Sequence, residues 1–160
     1  MKLLDCTLRD GGFKSDFNWD LKFAQRYYSQ MNKFNIHYIE LGYWKQTSKS
    51  KNRFYNLNLK DVDLITKDAK LDNACVIIDY HYCNKNLNCY PKKNQTPISM
   101  IRITARREDI DEAIIFANKL QEKTKLDLSF QIINSTNYSK LELSEVAQKF
   151  KNSNFLYLYF

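Results

Sequence analysis

Two opposite charges at the end of an apolar run are the first residues in this chain with chemistry to offer. In Leu4-Asp5-Cys6-Thr7-Leu8-Arg9-Asp10-Gly11-Gly12, an arginine and an aspartate close the run together. Burying such a pair is expensive unless each charge meets a partner. Asp10 could hold a divalent cation through its carboxylate oxygens, and Arg9 could neutralise an oxyanion formed in the same pocket. Glu40, in Ile39-Glu40-Leu41-Gly42-Tyr43, would reach the same mouth if the two runs are barrel strands. A structural salt bridge from Arg9 to Asp10 or Glu40 explains the same residues, and physics alone leaves the two readings level. His81, Cys83 and Cys89 gather soft ligands as H-x-C-x5-C, but a fourth ligand is missing and neither spacing matches a common zinc knuckle. They read as the composition of a polar loop.

The elements that must position these residues follow from periodicity. Strand-like runs occur at 3–8, 37–43, 74–80, 100–104, 126–133 and 155–160. Helical stripes lie between them. Leu21, Ala24, Tyr27, Tyr28, Met31 and Phe34 follow the candidate cap Asp20, and Leu59, Val62, Ile65 and Ala69 form a shorter stripe. Ile110, Ala113, Ile114, Ala117 and Leu120 make a third stripe. Leu143, Val146, Ala147 and Phe150 follow Ser139, with Glu142 placed for a capping box. Residues 81–97 read as loop. The strands recur at about the length of a βα unit, which leaves a doubly wound sheet or part of a (β/α)8 barrel. Neither G-x-G-x-x-G nor G-x-x-x-x-G-K-[ST] is present. The three glycines, Gly11, Gly12 and Gly42, follow the first two strands, where a barrel places its active-site loops. Backbone room or positive φ is expected there, although ordinary tight turns would use glycine equally well.

The 160 residues suit one domain with a real core, and 44% apolar with 27% charged residues is a globular composition. No apolar run is long enough to span a membrane, and charge at Lys2 and Asp5 argues against a signal peptide. Four cysteines then read as reduced thiols of a cytoplasmic protein. The net charge of +7 is concentrated: residues 45–107 carry thirteen basic against five acidic side chains. That segment could track a polyanion, with Lys45, Lys49, Lys51 and Arg53 as the candidate site, or form a solvated face. Nucleic-acid binding is expected to be without sequence preference.

Residues 5–12, Asp-Cys-Thr-Leu-Arg-Asp-Gly-Gly, resemble the signature of the DRE-TIM metallolyase superfamily, also called the pyruvate carboxyltransferase or hydroxymethylglutaryl-CoA-lyase-like domain. The nearest subgroup is aldolase-like, close to 4-hydroxy-2-oxovalerate aldolase. Ile39-Glu40-Leu41-Gly42-Tyr43 is similar to its second strand, Ile101-Arg102-Ile103-Thr104 to its fourth and Ser129-Phe130-Gln131-Ile132-Ile133-Asn134 to its fifth. The resemblance implies Asp10 as metal ligand, Arg9 and Glu40 as catalytic, and Arg102 and Tyr43 as substrate-binding. It implies a divalent metal, Mn2+, Mg2+ or Zn2+, and a 2-oxo acid or aldehyde substrate processed through an enolate.

The chain departs from that pattern. It has only His37 and His81, neither in the H-x-H that supplies the family's other metal ligands, and Phe160 falls where the family has an aspartate. Phe13 and Arg106 stand where the 4-hydroxy-2-oxovalerate aldolases have histidines. The expectation is an α/β fold of about six βα units around a parallel sheet. It would be an incomplete TIM barrel in one C-terminally truncated domain, 1–160, with open edges and an unfilled interior. Such a piece should be inactive alone and bind metal poorly. It could equally be a non-enzymatic remnant or one half of a split protein that pairs with a complementing chain or oligomerises.

Overall fold

All six expected strands form in the computed structural model, which describes residues 2–45 and 52–160. They are β1 (Leu4–Asp5), β2 (Tyr38–Tyr43), β3 (Ala74–Asp79), β4 (Ile98–Ala105), β5 (Asp127–Ile132) and β6 (Tyr157–Tyr159). They lie side by side in chain order, and each neighbouring pair is parallel. Among the described residues five helices occupy the connections: α1 (Thr7–Ser15), α2 (Leu21–Lys33), α3 (Leu59–Thr66), α4 (Ile110–Thr124) and α5 (Lys140–Lys149). Between β3 and β4 there are only short 3-10 turns, as the Asn, Lys and Pro content of that stretch predicts.

Helix starts follow local chemistry. Asp20 accepts the Phe23 N–H at 2.9 Å, and both Asn58 with Asp61 and Ser139 with Glu142 close capping boxes. The helical stripes bury against one face of the sheet. Ala24, Tyr28, Val62, Ile65, Ala113, Ala117, Leu120 and Phe150 join Ile39, Leu41, Val76, Ile78, Ile101, Ile103, Leu128 and Phe130 in one core.

The alternate residues face the other way, onto a surface that curls. In a flat sheet, strands four places apart would lie roughly 19 Å from each other. Yet the rings of Tyr38 on β2 and Tyr157 on β6 meet edge-on at 6.3 Å. The sheet is therefore an open half-barrel, and its concave side is occupied. Tyr38, Cys75 and Met100 are buried there with Leu4 and Tyr157 packed against them. The expected unfilled interior is filled in part: the Tyr38 and Tyr157 rings meet across the trough beside Cys75 and Met100. The two unpaired edges are also short, two residues at β1 and three at β6, which leaves little backbone for unwanted pairing.

The first strand also differs from expectation. It stops at Asp5, and Thr7 to Ser15 are helical, so Arg9, Asp10, Gly11 and Gly12 ride on α1 rather than at a strand end. Asp5 is the reason. Its carboxylate accepts from the Thr7 N–H (3.2 Å) and hydroxyl (3.1 Å), and Tyr27 donates to both its oxygens at 3.0 and 2.9 Å. Trp19 Nε1 then ties the helix down by donating to the Leu8 carbonyl at 2.8 Å. No glycine has positive φ; room is what they provide. A Cβ on Gly12 would lie 2.4 Å from the Phe17 ring, and one on Gly42, inside β2, 2.2 Å from the Phe54 carbonyl oxygen.

These clearances order a set of variants. Gly42→Ala is expected to destabilise most, because backbone must move. Gly12→Ala should cost about 1–3 kcal/mol through overpacking, despite a helix-propensity gain of about 1 kcal/mol. Gly11→Ala, whose methyl meets the Trp19 ring at 3.0 Å, should change least. Urea midpoints measure the order, and Gly11→Ala emerging as the worst of the three would contradict it.

Candidate functional site: a buried carboxylate between two arginines

Alternation within the strands places polar side chains on the concave face. Ile101 and Ile103 point into the helical core while Arg102 points away from it, and Leu128 and Phe130 do the same beside Ser129 and Gln131. From β2, Glu40 reaches the same trough and is 0% exposed. Its two oxygens are divided between two cations: Arg9 Nε donates to Oε2 at 2.6 Å, and Arg102 Nη1 donates to Oε1 at 2.8 Å. Arg102 Nη2 donates to Gln131 Oε1 at 2.8 Å, and the Tyr159 ring covers the guanidinium at 5.3 Å. Arg9 Nη1 also pairs with Asp10. Burial opposes both arginine charges, but Glu40 with the other neighbouring groups more than offsets it, and both groups are held above the ordinary arginine value.

The network keeps spare donors. Arg102 Nε and Ser129 Oγ are buried without a partner among the described residues, and Ser129 sits opposite Arg102 in the β4–β5 register. Cys6 lies beside the network, its thiol 3.6 Å from Arg102 Nη1. Burial, followed by the Glu40 charge, pushes that thiol up to about 12. Tyr43 stands at the rim, edge-on to Phe13 (6.3 Å), Phe17 (5.8 Å) and Tyr55 (5.4 Å). Its hydroxyl is raised by burial, with the Arg9 charge opposing.

Arg9, Glu40 and Arg102 are therefore brought together, with Tyr43 close by, while Asp10 is brought only to Arg9. Asp10 is 60% exposed and carries its charge outward. Among the described residues no three His, Cys, Asp or Glu side chains converge as metal donors, so this donor set does not fit a resident divalent metal. His81 Nδ1 faces Asp109 at 3.1 Å, Cys83 donates to the Tyr80 carbonyl, and Cys89 accepts from Asn84. Arg106, at the end of β4, forms a two-pronged pair with Asp79 at 3.1 and 3.3 Å. Two residues of the candidate polyanion site are described. Lys45 is buried with its ammonium 3.5 Å over the Tyr55 ring, Arg53 pairs with Asp61 at 2.8 Å, and Lys49 and Lys51 lie outside the described residues. Sequence reading gave no role to Gln131, Ser129, Cys6 or Tyr159. The signal was available for the first two, as polar residues interleaved with the apolar ones of β5.

A solved structure described as the N-terminal domain of a putative aldolase from Bacteroides vulgatus is similar to this chain with a TM-score of 0.67. The likeness covers 91% of this chain and 49% of that one, at 24% identity. The fold is that of an incomplete TIM-like barrel. This chain spans about half the length of its structural neighbour. No protein-family model matches it, and no curated protein does. Among the described residues, no helix is long and apolar enough to cross a membrane.

Two measurements probe the network. Glu40→Gln should destabilise the fold by about 3–5 kcal/mol, because one partner of a buried ion network is removed and two guanidinium charges remain. A urea midpoint within experimental error of the parent would contradict this. For Cys6, the folded thiol ionises later than an unfolded one. The stability it contributes is therefore full below about pH 8.5 and is lost as pH rises toward its folded value. Between those limits the unfolding free energy of the parent should fall more steeply with pH than that of Cys6→Ala; equal slopes would remove Cys6 from the account.

Proposed function

We propose that this chain is the substrate-binding half of an aldolase-like barrel, in which Arg9 and Arg102 receive the oxygens of a 2-oxo acid. The observation that carries the reading is Glu40, wholly buried and divided between both guanidinium groups. An arrangement of that kind fixes two planar cations on one concave surface, and fixed donors are what an oxygen gaining negative charge requires. Arg9 commits Nε to Glu40 and Nη1 to Asp10, which leaves Nη2 for a ligand. Arg102 Nε and Ser129 Oγ add donors that nothing else on the described chain uses. In this reading Glu40 is a positioning residue, acting through the arginines, rather than the base.

The reaction class proposed is cleavage or formation of a carbon–carbon bond next to the keto group, through an enolate stabilised by these arginines. Two things support it. The order of residues 5–12 resembles the metallolyase signature, and a structural neighbour is described as the N-terminal domain of a putative aldolase. The metal of that resemblance is left out of the proposal for this chain, since among the described residues no three His, Cys, Asp or Glu side chains converge. The rest of a barrel, on the same or a complementing chain, is proposed to close over the trough.

The reading is tested by titrating the chain with pyruvate and with oxalate, a planar mimic of the enolate, followed by NMR or calorimetry. Oxalate should bind more tightly than pyruvate. Arg9→Lys should weaken it by about tenfold, because lysine keeps the charge and loses the fork. Arg26→Lys, exposed on α2, should leave it unchanged. If neither compound binds at roughly 10 mM, or if Arg9→Lys and Arg26→Lys behave alike, the proposal falls.

A further inference from the structure

The opposite end of the sheet, away from the arginines, gathers charge of its own. Lys92 and Lys93 stand on the connection before β4, and Lys123 and Lys125 flank the buried Thr124 at the end of α4. With Asn94 they line one cavity of about 370 Å³. We propose that this cavity is an anion site for a small phosphorylated molecule, held through its phosphate oxygens.

Charge comes first. Four lysines line the cavity, and Lys93 Nζ lies 4.0 Å from Asp127, which is itself partly exposed. Each cation raises the cost of placing the next, and a multivalent oxyanion reverses that cost. The carbonyl end of α4 favours nearby cations and so accounts for Lys123 and Lys125. It does not account for Lys92 and Lys93, which come from a separate segment.

Two of the four lysines are also held. Lys125 sits in the left-handed region at φ 60°, its N–H bonded to the Gln121 carbonyl at 2.8 Å, so its backbone is fixed as the helix cap. Lys123 donates to the Asn88 side chain, tying the end of α4 to the connection that carries Lys92 and Lys93. The size of the cavity falls within the range of small-ligand sites, whereas a nucleic-acid backbone is tracked by an extended basic stripe. A compact polyphosphate or phosphorylated metabolite therefore fits better than a polymer.

The experiment uses inorganic tripolyphosphate as probe, titrated into the whole chain at low ionic strength, with circular dichroism to confirm folding of each variant. The double variant Lys92→Glu with Lys125→Glu is expected to weaken binding at least about tenfold. Lys60→Glu with Lys70→Glu, which changes net charge equally elsewhere, should alter it less than about twofold. Equal losses in the two double variants would show that net charge alone attracts the anion, and would overturn the site. So would a single-stranded oligonucleotide that binds more tightly than tripolyphosphate at equal phosphate concentration, since the occupant would then be a polymer. Loss of tripolyphosphate binding in Arg9→Lys would overturn it as well, by placing the anion at the other end of the sheet.

Discussion

A carboxylate with no access to water can persist only if cations come to it, and Glu40 imposes that condition on the middle of this fold. It lies on β2 and takes Arg9 from α1 and Arg102 from β4, with β3 between the two strands. The three side chains can meet only if the sheet curls enough to bring those elements over one trough. Gln131 and Tyr159 then complete the surroundings of Arg102 from β5 and β6. Every strand except β1 and β3 thus sends a side chain to the network, and those two flank it with Cys6 just beyond β1 and the buried Cys75. A buried ion cluster is weak evidence for stability in itself, since well-packed hydrocarbon of the same volume often serves as well. On the proposed function, what the cluster provides is two guanidinium groups fixed for a ligand.

Much of this was legible in the residues, and the exceptions have physical causes. The strands announced themselves because parallel strands buried on both faces read as apolar runs, and Ser139 with Glu142 marked a helix start outright. The first helix was hidden by Gly11 and Gly12, which lower helix propensity but are needed under the rings of Trp19 and Phe17. Tertiary packing overrode the local signal there. Arg9 and Glu40 were visible as charges following apolar runs, and the contact between them was among the alternatives those runs allowed. The role of Arg102 as the second clamp was not visible, because it depends on the β3–β4 register and on curvature, neither of which a single sequence encodes locally. Lys45 failed as a surface cation for a similar reason: the rings of Tyr43, Tyr55 and Tyr82 gather around it, and the last comes from a different part of the chain.

The two ends of the sheet have different characters. At the carboxyl ends of the strands, cations are matched to buried or nearby acids, as in Arg9 with Glu40 and Arg106 with Asp79. At the amino ends, beside α4, lysines outnumber acids and share a cavity. Among the described residues, charge is therefore matched differently at the two ends of the sheet.

Strand order has a kinetic meaning as well. Because the strands lie in the sheet as they lie in the chain, each βα unit docks on the one just made, and loop closure is short at every step. Assembly can then spread along the chain as it does in repeat proteins, one neighbour interface at a time. The ring contact between Tyr38 and Tyr157 belongs to a different regime, for it joins the second strand to the last. It is available only after the intervening strands have paired and bent, so curvature is acquired late, and the polar trough takes shape after the helical core behind it.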